Sequence, residues 1–122
     1  MNLSKSFEDY LETIYLIKKL NGVVRVKNVA KDLDVSMPSV TGAVKKLAGI
    51  DLVIYEKYGL IKLTKKGEKL AKEVYKKHEA LFVFLTKFLG VTKEVALKEA
   101  CAIEHDISDS TLKKLKKFIA RR

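Results

Sequence analysis

The segment "EACAIEHD", residues 99–106, concentrates side chains that could bind a metal ion. Cys101, Glu104 and His105 stand at positions i, i+3 and i+4, and the whole chain has one cysteine and two histidines. In a helix, residues at this spacing share one face, so their sulfur, oxygen and nitrogen donors converge. Such a mixed donor set suits a borderline divalent metal better than calcium or magnesium, which prefer oxygen ligands. From this stretch alone, a buried structural cysteine beside an ordinary Glu-His pair is the alternative.

Further donors occur on two other predicted helices. His78 lies between Val74 and Leu81 on the apolar stripe of a long helix, and Asp9 and Glu12 stand at i and i+3 on the first helix. Taken alone, the two carboxylates fit a solvated acidic face. Nevertheless, both histidines and the only cysteine of the chain are among the possible ligands.

The N-terminal half has the pattern of a helix-turn-helix. A first helix, with apolar residues at Phe7, Leu11 and Ile14, ends at Asn21-Gly22. Two short helices then flank the polar turn "DVSMP", where Ser36 is a good N-cap and Pro38 falls in the first turn of the second helix. This arrangement is typical of DNA-binding helix-turn-helix motifs.

The pattern then alternates with a period of two residues. "LVIYE" and "LIKLT", separated by "KYG", predict a hairpin that forms a wing. Thr64 can cap a helix that runs to Leu89, before Gly90, and residues 93–107 and 109–122 predict two more helices. We therefore expect a mainly α fold with a small β-wing, made of a winged helix-turn-helix domain over residues 1–66 and a helical domain over residues 67–122.

Charge and composition indicate the class of partner and the cellular compartment. The net charge is +10, and the excess is even, with 13 basic and 8 acidic groups in residues 1–70 and 12 and 7 in residues 71–122. Such a charge favours an acidic partner, most often nucleic acid. A single cysteine fits a reducing compartment, and no apolar run approaches the 18 residues of a membrane span, so we expect a cytoplasmic protein.

The second helix of the helix-turn-helix is expected to enter the major groove of DNA. Its hydroxyl groups can meet base edges or phosphates, and lysines meet phosphates. The segment "SMPSVTGAVKK" lacks the Arg, Asn or Gln that would make a bidentate base contact, so DNA shape should carry much of the specificity. The predicted DNA-binding residues are Arg25, Lys27, Ser36, Pro38, Ser39, Thr41, Gly42, Lys45, Lys46 and Lys57. A winged helix that binds protein is the alternative.

Apolar residues of the C-terminal half predict a homodimer. They form more apolar surface than one small core should cover. These residues are Phe82, Phe84, Phe88, Leu112, Leu115 and Ile119.

The chain resembles the diphtheria-toxin-repressor/manganese-transport-regulator family. The resemblance rests on "SKSFEDYLETIYLI", "DVSMPSVTGAVKKL", "LVIYEKYGLIKLTKKG", "HEALFVFL" and "EACAIEHDIS", which cover nearly the whole chain in order. It implies a metal-activated, homodimeric transcriptional repressor of metal-uptake genes that binds a pseudo-palindromic DNA operator. The C-terminal helices would then dimerise and share metal sites with the first helix.

The resemblance also implies the ligands and the metal. The family's metal ligands fall on Asp9, Glu12, His78, Cys101, Glu104 and His105. Asp9 is similar to the manganese-type branch, whereas Cys101 is the iron-type choice, and Phe82 replaces a carboxylate of an ancillary iron-branch site. The cofactor is therefore expected to be Mn(II) or Fe(II), with Zn(II), Co(II) or Cd(II) as occupants in vitro.

Two other functions remain open at this point. One is a metal-independent winged-helix regulator in which the acidic residues and histidines are structural. The other is a small metalloenzyme, since three donors plus an open position could activate water. We find no second base, oxyanion nest or Gly-rich loop around the donors, and therefore do not expect an enzyme.

Overall fold

Six α-helices and a three-stranded sheet make up the fold in a computed structural model that describes residues 3–121. The helices are α1 Lys5–Asn21, α2 Val26–Leu33, α3 Met37–Gly49, α4 Lys65–Val83, α5 Lys93–Glu104 and α6 Asp109–Ala120. The strands are β1 Val24–Arg25, β2 Val53–Tyr55 and β3 Leu60–Leu63. The predicted fold class, mainly α with a β-wing, is confirmed. Within residues 3–121, no helix is long and apolar enough to cross a membrane.

The chain divides into two compact units, residues 1–73 and residues 74–122. The division falls inside α4, seven residues after the boundary that we predicted at residues 66/67.

The first unit is a winged helix-turn-helix. Its core contains the fully buried side chains of Leu11, Ile14, Val29, Val44 and Leu47 from α1, α2 and α3. The predicted hairpin is present, since β2 pairs antiparallel with β3, and a 3-10 turn over Lys57–Gly59 joins them. Helix α3 is therefore held on an apolar base with its other face toward solvent.

The sheet has one strand that the sequence pattern did not predict. Strand β1 pairs antiparallel with β3 through Val24↔Ile61 and Arg25↔Leu60, which gives the order β1-β3-β2. Two residues are too short to show a period of two, so β1 gave no alternating pattern. Its effect is to attach the wing to the segment between α1 and α2.

The second unit has a small core of its own. Leu81, Leu85, Ala96 and Ala100 form its buried centre. Three predicted helix ends differ from the structure. Helix α4 stops at Val83 and a π-helical turn covers Phe84–Phe88, α5 stops at Glu104 instead of residue 107, and α6 stops at Ala120. Residue 122 lies outside the described residues.

Local hydrogen bonds explain the first two differences. The Thr86 hydroxyl donates to the Phe82 carbonyl oxygen at 2.8 Å, and the Leu89 N–H reaches back five residues to the Phe84 carbonyl oxygen. After α5, the N–H groups of Asp106 and Ile107 both bond to the Ile103 carbonyl oxygen, which closes the helix in a turn. Helical periodicity carries no signal for either feature.

Of the six apolar residues from which we predicted a homodimer, only Leu112 is fully covered within one chain. Leu112 is only 5% exposed, and Phe82 and Leu115 pack against the core of the unit. Phe84 and Phe88 lie against one another at 6.0 Å between ring centroids. The other five remain partly exposed, and Leu89, Leu97 and Phe118 of the same unit are exposed, so this unit keeps apolar surface that one chain does not cover.

Candidate metal centre and nucleic-acid interface

His78, Cys101 and Glu104 converge within the second unit. Helix α4 positions His78, and α5 positions the other two one turn apart. The distance from His78 Nδ1 to Cys101 Sγ is 3.2 Å, and one ligand atom of each of the three residues lies within 4.8 Å of the others. Donors that bind one ion at 2.0–2.3 Å are about 3–4 Å apart, so the spacing fits a shared metal ion.

Burial favours a cation at this cluster. His78 is 2% exposed, and the Glu104 side chain is 3% exposed. An ionised carboxylate buried to this degree is costly in free energy unless a positive charge compensates it. His105 lies beside Glu104, with 3.6 Å between His105 Nε2 and Glu104 Oε1. It is the residue directly after the end of α5.

Two aromatic rings neighbour His78. Its imidazole stacks between Tyr75 and Phe82 on the same helix, with ring centroids 6.3 Å away on both sides and interplanar angles of 17° and 13°. On the edge of the imidazole, Nδ1 faces Cys101 Sγ. Phe82, which stands where a carboxylate ligand is expected in the iron-type branch, supplies an apolar wall.

Asp9 and Glu12 lie on α1 in the first unit. They are one turn apart, and Ser4 caps the start of this helix by accepting the N–H of Phe7. Asp9 is half-buried, and Glu12 is 3% exposed. A glutamate so well covered differs from the solvated acidic face that was the alternative for this pair.

The candidate recognition helix α3 begins at the predicted cap. The Ser36 hydroxyl oxygen accepts the Ser39 N–H at 3.2 Å, and Pro38 lies in the first turn. The two serine hydroxyls are 2.8 Å apart and share a hydrogen bond. One hydroxyl is thus partly committed to capping, which leaves the Ser39 hydroxyl as the freer group for a base edge.

The other predicted DNA-binding residues of this unit are accessible. Thr41 and Arg25 are half-buried, whereas the remaining ones are exposed, namely Lys27, Ser36, Pro38, Ser39, Gly42, Lys45, Lys46 and Lys57. The opposite face of α3 is buried through Val40, Ala43, Val44 and Leu47. Helix α3 thus has one side for the core and one for a ligand.

The tip of the wing presents an exposed residue, Tyr58, that was not among the predicted DNA-binding residues. Tyr58 is 89% exposed at the turn between β2 and β3 and has a left-handed backbone with φ 63°. The Arg25 guanidinium donates to the Tyr58 carbonyl oxygen at 3.2 Å. Arg25, predicted as a phosphate contact, therefore also holds the tip of the wing. An aromatic residue in the short loop "KYG" was the available signal.

Two family models match successive parts of the chain. Residues 2–61 match the family model of the iron dependent repressor N-terminal DNA binding domain, and residues 64–121 match that of the iron dependent repressor metal binding and dimerisation domain.

Individual relatives cover nearly the whole chain. This chain is 42% identical over 120 residues to the uncharacterized HTH-type transcriptional regulator MJ0568 of Methanocaldococcus jannaschii. The match covers 98% of this chain and 96% of that protein. The chain is 38% identical over 110 residues to the HTH-type transcriptional regulator MntR of Bacillus subtilis, covering 90% and 77%. The solved structure of the manganese regulator SloR matches with a TM-score of 0.77 and 38% identity over 100% of this chain. This chain spans 56% of that solved chain.

The fold and the site define a DNA-binding transcriptional regulator that depends on a divalent metal. The chain belongs to the iron-dependent repressor family, which is the diphtheria-toxin-repressor/manganese-transport-regulator family that its sequence resembles. Its partners are DNA and a second copy of the chain, and it is not an enzyme. The family consists of transcriptional regulators and does not support the metalloenzyme alternative, and the metal-binding domain does not support a metal-independent regulator.

Proposed function

We propose that this protein is a cytoplasmic repressor of metal-uptake genes whose binding to a pseudo-palindromic operator is switched on by Mn(II) or Fe(II). The observation that carries the proposal is the buried convergence of His78, Cys101 and Glu104, which lies in the unit matched by the metal-binding domain. The proposed ligands are Asp9, Glu12, His78, Cys101, Glu104 and His105.

The donor set fits a divalent transition metal of intermediate softness. The three carboxylates Asp9, Glu12 and Glu104 are hard donors that favour Mn(II), whereas the Cys101 thiolate favours Fe(II). Zn(II), Co(II) and Cd(II) would bind the same nitrogen and sulfur donors in vitro.

Like charge on two units is the basis of the proposed switch. Asp9 and Glu12 belong to the DNA-binding unit, and Glu104 belongs to the other unit. Without a metal ion, repulsion between these negative charges therefore opposes bringing the three carboxylates together. A bound divalent cation supplies the opposite charge that makes ligation from both units favourable. Because α1 and α3 share one core, fixing α1 also fixes the recognition helix.

In a two-fold dimer this coupling controls the distance between the two recognition helices. Both can enter the major groove only when they are about 34 Å apart, one turn of DNA, or a multiple of it. Shifting a population from 1:99 to 99:1 in favour of the correct spacing requires about 5.5 kcal/mol of differential binding. We propose that metal ligation by mixed donors from both units supplies that difference.

A titration of DNA binding with metal tests the proposal. Duplexes would first be selected from a random library in the presence of Mn(II), and their affinity then measured at fixed salt with Mn(II), Fe(II), Zn(II) or a chelator. We expect tight binding with metal and weak binding with chelator. Equal affinity under both conditions would show that the metal does not control DNA binding.

Two substitutions in α3 should separate base contacts from phosphate contacts. Lys45→Ala should weaken binding to all duplexes alike and lower the dependence on salt by about one unit of the log–log slope, since one phosphate contact is lost. Ser39→Ala should change the preference among duplexes, by about 1–3 kcal/mol at one base pair. Competition assays with single-base variants would measure both effects. If Lys45→Ala changed only the sequence preference, the proposed placement of α3 in the groove would be wrong.

A further inference from the structure

The C-terminal end of the chain carries an unusual concentration of positive charge. Residues 110–122 contain six basic residues and no acidic one, whereas residues 74–109 contain five basic and six acidic residues. The net positive charge of the second unit therefore comes from this segment, which forms most of α6. Neither the metal centre nor the winged helix uses these side chains.

The cations occupy one side of α6. Lys113, Lys117 and Arg121 recur at every fourth residue, about 6 Å apart along the helix axis, and Lys114 and Lys116 flank this row. All five side chains belong to exposed residues, and we call them the α6 cationic face. Within residues 3–121 the structure shows no carboxylate partner for any of the five; Asp109, at the start of the helix, lies 4.0 Å from Lys77 instead.

The other side of α6 is already occupied. Leu112 is 5% exposed and Leu115 packs against the core of the unit. The ring of Phe118 contacts Phe84 and Phe88 at centroid distances of 6.2 Å and 5.4 Å. A basic amphipathic helix that lies on a membrane inserts its apolar side among the lipids, but here that side is packed against protein. Apart from Phe118, which is 38% exposed, the large side chains on the available side of α6 are cationic, which fits a polyanion.

We infer that the α6 cationic face is a second DNA-contacting surface, which binds backbone phosphates without reading sequence. The inference deepens the proposed function and rests on its DNA binding. B-DNA carries one phosphate per strand for about every 3.4 Å of its axis, so a row of cations about 6 Å apart lies along a stretch of duplex that holds several phosphates. Contacts of this kind add affinity and salt dependence but no sequence information.

The test compares two triple variants of the full chain on a 60-bp duplex of random sequence. The K113Q/K117Q/R121Q variant removes the central row of the α6 cationic face. The matched K87Q/K93Q/K98Q variant removes the same charge from exposed lysines elsewhere in the same unit. The observed binding constant is measured against salt concentration in Mn(II) and in chelator. Thermal melting checks that each variant is folded, and K114Q/K116Q replaces the first variant if it is not.

Each lost phosphate contact lowers the log–log salt slope by about 0.9, so K113Q/K117Q/R121Q should lower it by about 2.7 per protomer. The control should keep the wild-type slope. Equal slopes for the two triple variants would overturn the inference. Binding to phosphatidylserine vesicles is measured in parallel, and the inference would also be overturned if K113Q/K117Q/R121Q weakened vesicle binding but not DNA binding. If α6-dependent binding to the random duplex were present but Mn(II) did not strengthen binding to the selected duplex, the inference would stand and the proposed metal switch would fail.

Discussion

Glu104→Gln is expected to keep the fold and to abolish the stimulation of DNA binding by Mn(II). The substitution preserves the shape of the side chain, but it removes the negative charge and the carboxylate ligand from the buried cluster with His78 and Cys101. Without that charge the cation loses its binding energy, while the uncharged amide costs less to bury. Fluorescence anisotropy of a labelled selected duplex, with Mn(II) and with chelator, measures the stimulation.

Glu99→Gln is the matched control for this prediction. Glu99 lies on the same helix and is exposed, so its change removes the same charge outside the cluster. The control should respond to Mn(II) like the wild-type protein. If Glu104→Gln also kept the full response while remaining folded in thermal melts, Glu104 would not be a regulatory ligand.

Cys101→Glu is expected to move metal preference from Fe(II) toward Mn(II) and to leave regulation intact. In the wild-type site the Cys101 sulfur, a soft donor, lies 3.2 Å from His78 Nδ1. The substitution replaces this sulfur by a hard oxygen donor. We expect the Fe(II)/Mn(II) affinity ratio to fall by about tenfold, which corresponds to about 1.4 kcal/mol. Competition between the two metals, read out by DNA binding under anaerobic conditions, measures the ratio.

The thiolate has a spectroscopic test that does not depend on DNA. Co(II) bound by the wild-type protein should show a sulfur-to-metal charge-transfer band, and Cys101→Ala should remove it and weaken metal binding. If the band were absent and Cys101→Ala left affinity and selectivity unchanged, Cys101 would be a packing residue. The proposed site would then consist of the oxygen and nitrogen donors of the other five ligands.

The local elements of this protein were predictable because short-range rules determine them. The cap at Ser36, the cap at Thr64 and the buried position of His78 all follow from spacing within one or two helical turns, and the structure shows all three. The hairpin of the wing was equally readable from its alternating residues. Strand β1 was not, because it exists only by pairing with β3, which is distant in sequence.

The candidate site was predictable only in part. Spacing placed Cys101, Glu104 and His105 on one turn, but nothing in the pattern showed that His78, on another helix, lies 3.2 Å from the sulfur. The family resemblance supplied that association. The same limit applies to the apolar residues of the second unit, since periodicity identifies Leu112 as apolar but cannot say that it is only 5% exposed.

The most direct test of the central claim is the affinity for Mn(II) measured with and without saturating selected duplex, by the electron paramagnetic resonance signal of free Mn(II). If metal and DNA favour the same arrangement of the two units, DNA must tighten Mn(II) binding by the same factor by which Mn(II) tightens DNA binding. We predict equal factors of at least about tenfold, which corresponds to about 1.4 kcal/mol of coupling. Identical Mn(II) affinities with and without DNA would contradict the account.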